Sequence, residues 1–414
     1  LANFFMLTCP YLYLLSTAAY FALIRNHNAL HAIKDIHNTA QVVLDCYRYE
    51  GSIYVHPLKV ENRYSSTMYM LHKWICKDEL DQNHCQRSTL NPVLDSVTTA
   101  EILSRISQPW LDYNVKRLDQ WSISFRKAKE ILDKIQSRQI SPEEAKKTKL
   151  KIIKMAIARS NDKRLKLANR YFSLEDLLNI GKRMIGTGLI GGKTVGMLLA
   201  QAILRKSDER WEDILETHDS FFVGSDVFYT YLVKNDCWWQ RRKLSNPKTF
   251  LQGQEDVKRK MLNGEFSKYV LQQFKEILNY YGQAPIIVRS SSIQEDAFGN
   301  AFAGKYVSIF LANQGNPEER LSAFLDAVRK VYASSISKNA LHYRKSRGLL
   351  ELDEQMALLV QRVSGSIHGD LFYPLVAGVG FSFNPFVWDP SIDPKSGFLR
   401  LVAGLGTRAV DRTA

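Results

Sequence analysis

VRSSSIQEDAFGNAFAGKY, residues 288–306, decides how this chain is read. Ile286-Ile287-Val288 is an apolar run fit for a buried strand, and it ends in Arg289-Ser290-Ser291-Ser292, with Glu295 and Asp296 close behind. An arginine where a buried strand meets a loop must be paired or hold a ligand, because a lone buried charge is costly. Its planar fork suits phosphate oxygens, and the serines add hydroxyl donors. Ala301-Phe302-Ala303-Gly304-Lys305-Tyr306 follows as a small-residue loop that would let a polyphosphate pass close to the backbone before a strand at Val307–Leu311. The competing reading is that Arg289 pairs with Glu295 or Asp296 and merely holds a turn.

Outward from this stretch the texture is mixed. Further β-rich runs fall at Pro285–Arg289, Met356–Val363, Leu371–Phe383 and Phe398–Ala403, with helical patterns near 256–281 and 317–346. Strands interleaved with helices predict an α+β (mixed α/β) domain. Upstream, Thr98 to Leu178 reads as helices, with Ile102, Leu103, Ile106, Trp110 and Leu111 at helical spacing. Ser141-Pro142-Glu143-Glu144 and Ser173-Leu174-Glu175-Asp176 are helix starts. Residues 1–95 read as a separate mixed or helical domain, in which Tyr54–Leu58 is a short strand ending at a turn. The predicted organisation is therefore 1–95 of unassigned role, a basic helical connector over 96–175, and a nucleotide-binding domain over 176–414, so that the N-terminal region is mostly helical.

The glycines at 181–196 offer two decoys. Gly186-Thr-Gly188-Leu-Ile-Gly191 spells G-x-G-x-x-G, but a dinucleotide loop must follow a strand, and Leu174 to Met184 is helical in pattern. Gly192-Lys193-Thr194 resembles the end of a P-loop, but Thr187 stands where its first glycine is required. What remains is a glycine turn at a helix N-terminus with Lys193 beside it, a plausible phosphate cradle, against the alternative that the glycines serve a tight turn only.

The chain has 414 residues, 45% of them hydrophobic and 24% charged, which places it among ordinary globular chains with room for two or three domains. Its net charge of +14 suits an anionic partner, and the basic residues concentrate between Arg117 and Lys166. That run reads first as a solvated helix face; nucleic-acid binding would call for interleaved aromatics, of which it has few. Five cysteines at irregular spacing (Cys9, Cys46, Cys76, Cys85, Cys237) form no disulfide framework and predict reduced thiols and a cytoplasmic protein. His72, Cys76, His84 and Cys85 match no common zinc spacing. The uncharged run 4–24 has the length of a bilayer span, but Pro10 and scattered polar residues favour a buried helix. No basic segment precedes it, and the chain opens on Leu1 instead of Met, so it reads as a fragment beginning inside a domain.

The motifs also carry a family resemblance. VRSSSIQEDAFGNAFAGKY resembles the signature of the ATP-binding domain of phosphoenolpyruvate synthase, pyruvate phosphate dikinase and the rifampin phosphotransferases. The similarity continues in order through IGGKTVGMLLA, Phe221–Phe228, Val331–Arg344, MALLVQRV at 356–363, Gly378–Phe383 and Ala403-Gly404-Leu405-Gly406. The resemblance implies an ATP-grasp-like fold, with ATP and Mg²⁺ as cofactors. It puts Lys193 and Arg289 on the phosphates as the catalytic pair, Ser290, Gly304 and Lys305 in the phosphate-covering segment, and Gln361 and the Val363 backbone at the adenine. It implies transfer of phosphate to a histidine on a domain absent from this chain, then to an acceptor such as pyruvate, with no membrane and no nucleic acid as partner. None of this chain's histidines, His342 and His368 included, sits in that family's phosphohistidine motif. The family's glutamate after Gly-Leu-Gly is Thr407 here. Its main metal-binding carboxylate and glutamine come later than Ala414, so as a fragment the chain is expected to be inactive. A nucleotide-binding regulator without turnover is the other reading that Thr407 invites.

Overall fold

In the computed structural model of the chain, the residues described are 17–23, 40–61, 63–76, 88–106, 119–136, 142–158, 163–216, 218–295 and 304–406, with Thr8 and Leu12. The chain opens on a four-stranded antiparallel meander of β1 (Val42–Tyr49), β2 (Ser52–Val60), β3 (His72–Cys76) and β4 (Ser88–Pro92). The β1–β2 turn holds Glu50 and Gly51 at φ 46° and 75°, the two positive values that a twisted two-residue hairpin requires. β2 runs on through Pro57 instead of ending there. Proline is tolerated because β3 pairs only with Ile53–Val55, and on the other side the β1–β2 register slips between Val43 and Leu44 beside it.

Helices follow: α1 (Ser96–Ile106), α2 (Gln120–Gln136), α3 (Pro142–Ala156), α4 (Lys163–Tyr171) and α5 (Leu174–Lys182). Helix α5 opens with a capping box, in which Ser173 and Asp176 each satisfy the other's backbone amide. Next come β5 (Met184–Ile185), α6 (Gly192–Ser207), α7 (Arg210–Ile214), β6 (Ser220–Val223), α8 (Ser225–Lys234), α9 (Trp238–Lys243), α10 (Gln254–Leu262) and α11 (Lys268–Tyr281). The remainder is β7 (Ile286–Ser292), β8 (Ser308–Leu311), α12 (Pro317–Ser334), α13 (Lys338–Ser346), β9 (Met356–Arg362) and two hairpins, β10–β11 (Ser366–His368, Leu371–Tyr373) and β12–β13 (Val376–Phe381, Phe398–Ala403).

The central sheet has the order β5-β6-β9-β7-β8. β9 lies in its middle, and Met356 to Val360 are all 0% exposed, so an unbroken apolar run is what the position demands. Because successive strand residues point to opposite faces, Phe222 and Leu359 enter one core with α2–α6. Phe221, Val223, Val288, Leu358 and Val360 enter the other, with α8 and α10–α13. The result is a helix–sheet–helix sandwich.

Three expectations are corrected. The N-terminal region is not mostly helical: the described residues between Val42 and Pro92 form four β-strands and no helix, and helices begin at Ser96. Cys76 is disulfide-bonded, while Cys46 and Cys237 are free, so the argument from reduced thiols fails for Cys76. Residues 17–23 are exposed and carry no regular structure, so the predicted buried helix does not extend over them. Most of 4–16 lies outside the described residues, as do His84, Cys85 and Asp296. Among the described residues no helix is long and apolar enough to cross a membrane.

Candidate nucleotide-binding site

The site forms where the N-terminus of α6 meets the serine-rich end of β7. The two approach so closely that a Cβ on Gly191 would lie 1.6 Å from the Ser291 carbonyl oxygen, and one on Gly192 would lie 1.9 Å from that of Glu295. Both glycines are therefore required by packing. Ser291 seals the contact: its hydroxyl accepts from the Thr194 amide at 3.1 Å and donates to the Ile190 carbonyl at 2.9 Å.

Lys193 projects from this junction. Its Nζ lies 3.2 Å from Glu295 Oε1 and 3.4 Å from Ser290 Oγ. Arg289, next to Ser290 on β7, donates through Nη1 to Gln361 Oε1 at 3.2 Å. Gln361 in turn donates through Nε2 to Ser220 Oγ at 3.0 Å and approaches Met197 Sδ, one turn along α6 from Lys193, at 3.4 Å. A polar row thus runs along the α6 side of the sheet from Arg289 on β7 through Gln361 to Ser220 on β6, while Lys193 reaches Ser290 at the end of β7. It continues to His218, whose Nδ1 lies 3.0 Å from Ser220 Oγ and whose imidazole burial pushes down to about 4, leaving it neutral near pH 7. Gln361, His218, Asp219, Arg362 and Ser364 line a cavity of about 220 Å³ together with Ser96 and Ala100 of α1.

Sequence-predicted residues fall into two groups. Lys193, Arg289, Ser290 and Gln361 are brought together in this row. Gly304 and Lys305 lie apart from it: Gly304 is exposed at φ 72°, and Lys305 Nζ sits 5.3 Å from the centre of the Tyr343 ring. Val363 is buried beyond the end of β9, and its amide donates to the Pro285 carbonyl at 2.9 Å. Thr407 and Arg408 lie outside the described residues. His342 stacks edge-on against Phe250, and His368 lies against Tyr373.

The G-x-G-x-x-G stretch departs from expectation in an instructive way. A strand does precede it, since α5 stops at Lys182 and β5 pairs with β6 in parallel. Yet several of its donors are already engaged. The Thr187 amide and hydroxyl donate to the Asp226 carboxylate at 2.7 and 2.9 Å, and the Leu189 amide donates to Ser225 Oγ at 3.1 Å. The loop is stitched to the start of α8, not held open for a phosphate.

Two buried carboxylates belong to this junction, Glu295, which the sequence offered only as a possible partner of Arg289, and Glu354, which it did not single out. Glu295, 4% exposed, pairs with Lys193. Glu354, 0% exposed, accepts from the Ser292 hydroxyl and from Tyr306 OH at 2.8 Å, and burial pushes its carboxyl above the usual range. Glu295 carried a weak local signal, standing three residues after Ser292, whose amide it caps at 2.9 Å. Glu354 carried none, because Ser292 lies 62 residues away in sequence.

Lys193 at a helix start reaches Ser290, and Arg289 beside it reaches Gln361 on the central strand. The model of the pyruvate phosphate dikinase AMP/ATP-binding domain matches residues 187–414. The chain belongs to that family. The matched region begins inside the glycine loop and contains Lys193, Arg289 and Gln361, so the site lies within the family's ATP-binding domain and the chain is an ATP-binding protein of the dikinase type. Everything before residue 187, including the first sheet and α1–α5, lies outside the match.

Proposed function

We propose that the row from Lys193 to Gln361 binds ATP, with the phosphates at Lys193, Arg289 and Ser290 and the base at the Gln361 end. The observation that carries this is the convergence of two cations from separate elements: Lys193 Nζ reaches the residue next to Arg289, and Arg289 reaches Gln361. Phosphoryl transfer asks chiefly for positioned positive charge. Gly304 and Lys305 cover the phosphates once nucleotide is present, and the base is read by the Gln361 side chain and the Val363 carbonyl, since the Val363 amide is engaged. The phosphate then passes to a histidine on a domain outside this chain and on to an acceptor such as pyruvate.

Among the described residues no three His, Cys, Asp or Glu side chains gather as a metal cradle. Magnesium in this reading comes with the nucleotide, bound mainly to its phosphates. An ATP-consuming role suits a cytoplasmic protein, although the Cys76 disulfide is not what a reducing compartment favours.

Calorimetric titration with MgATP tests the reading. Wild type binds, and Arg289→Ala weakens binding about 10- to 100-fold, the value of a charge-assisted contact to phosphate. Absence of binding by the wild-type chain would sink the proposal. Thr407 supports a second reading, in which the chain binds ATP without turnover; failure of β-phosphate from ATP to reach a supplied phosphohistidine domain from a family member, with binding intact, would favour it.

A further inference from the structure

Lys193 stands in the first turn of α6, which has no acidic residue of its own. A cation there faces the positive end of the helix dipole, a placement that disfavours it. Glu295 offsets this from outside the helix. Its carboxylate is buried, accepts from Lys193 Nζ at 3.2 Å and Ser290 Oγ at 2.9 Å through Oε1, and from the Ser292 amide at 2.9 Å through Oε2. The Glu295 amide returns to the Ser292 carbonyl at 3.1 Å, so the turn that carries the carboxylate is itself closed. An ammonium has three donors. One points to Glu295 and one towards Ser290, which leaves a third donor on a side chain that is 21% exposed.

We propose that Glu295 is the positioning residue of the phosphate site: it anchors Lys193 Nζ so that its remaining N–H is aimed at a phosphoryl oxygen, and does not itself touch the nucleotide. The proposal rests on the ATP reading above. It has a sign opposite to that of simple charge balance. A carboxylate that only dilutes positive charge would, on removal, make ATP bind more tightly; one that positions the lysine would, on removal, make it bind more weakly.

The test titrates ATP and adenosine against the full chain. Glu295→Gln is expected to weaken ATP five- to twentyfold and to leave adenosine unchanged, because adenosine does not engage Lys193. In a Lys193→Ala background the same substitution adds nothing further, since the two residues act as one unit. Glu295→Asp keeps the charge but withdraws the carboxylate by about 1.5 Å, one C–C bond, and weakens ATP in the same direction. It decides the matter should the Gln variant fail to fold. Unchanged or tighter ATP binding in a folded Glu295→Asp or Glu295→Gln protein overturns the positioning role. A wild-type chain that binds neither ligand overturns the nucleotide reading itself, and the proposal with it.

Discussion

His56, on β2, is 2% exposed, and burial pushes its imidazole down to about 4. Asp45 opposes that shift, while Arg362 and Arg320 reinforce it. A base whose folded pKa is depressed gives stability that is present above its unfolded value of 6.5 and is lost as pH falls from there towards 4. Between pH 7 and pH 5 this one group should cost about 2 kcal/mol, and urea denaturation at the two pH values should show a smaller loss in His56→Gln than in wild type. Equal losses would mean that His56 titrates normally. At this scale the sequence went far but not the whole way. Arg289 could be picked out because an arginine at the end of an apolar strand needs a reason, and Gln361 because of the family resemblance. That Lys193 is held by Glu295 could not, because the choice between Lys193 and Arg289 as its partner depends on where α6 lands.

Helix α6 shows how one element can hold glycines of opposite meaning. Gly191 has φ 82° and a neighbour's carbonyl where its Cβ would be, whereas nothing lies within 4 Å of a Cβ on Gly196, in the helix interior. Gly191→Ala should cost at least about 2 kcal/mol from the left-handed backbone and the clash combined. Gly196→Ala should add roughly 0.5–1 kcal/mol from helix propensity. Guanidinium denaturation of the pair checks both, and a neutral Gly191→Ala would contradict the close docking of α6 on β7. Elements themselves were largely readable. The apolar run at 356–363 became the buried strand β9, and Phe398–Ala403 became β13, which is apolar in composition although it lies mostly exposed. The two-residue β5 was missed: Met184-Ile185 is too short for a period and sits directly after a helix.

For the molecule as a whole, the first sheet shares its core with the family domain. Tyr47, Tyr54 and Leu71 pack in one cluster with Phe274 and Val360. Gln283, 0% exposed, fastens the junction: its Oε1 accepts from the Tyr69 amide at 2.7 Å and its Nε2 donates to the Ser65 carbonyl at 3.1 Å. Gln283→Ala strands both partners and should cost about 2–4 kcal/mol. Because the core is shared, tryptophan fluorescence and far-ultraviolet circular dichroism should report a single unfolding transition. Two resolved transitions would show that the N-terminal sheet is an independent unit, in keeping with the separate domain that the sequence suggested over residues 1–95.

The sequence by itself determined the family, the mixed helix and sheet character and the order of the strands along the chain, because each is written in local composition and in motifs of a few residues. Only the tertiary structure decided how those pieces meet. It showed that the glycine loop is filled by Asp226 and Ser225, that Glu295 belongs to Lys193, and that the N-terminal sheet is part of the second core. Each of these depends on contacts between residues tens to hundreds of positions apart. Hydrogen-bond donors and apolar surface carry no label for their distant partner, and the choice is made by which elements the shared core brings within reach.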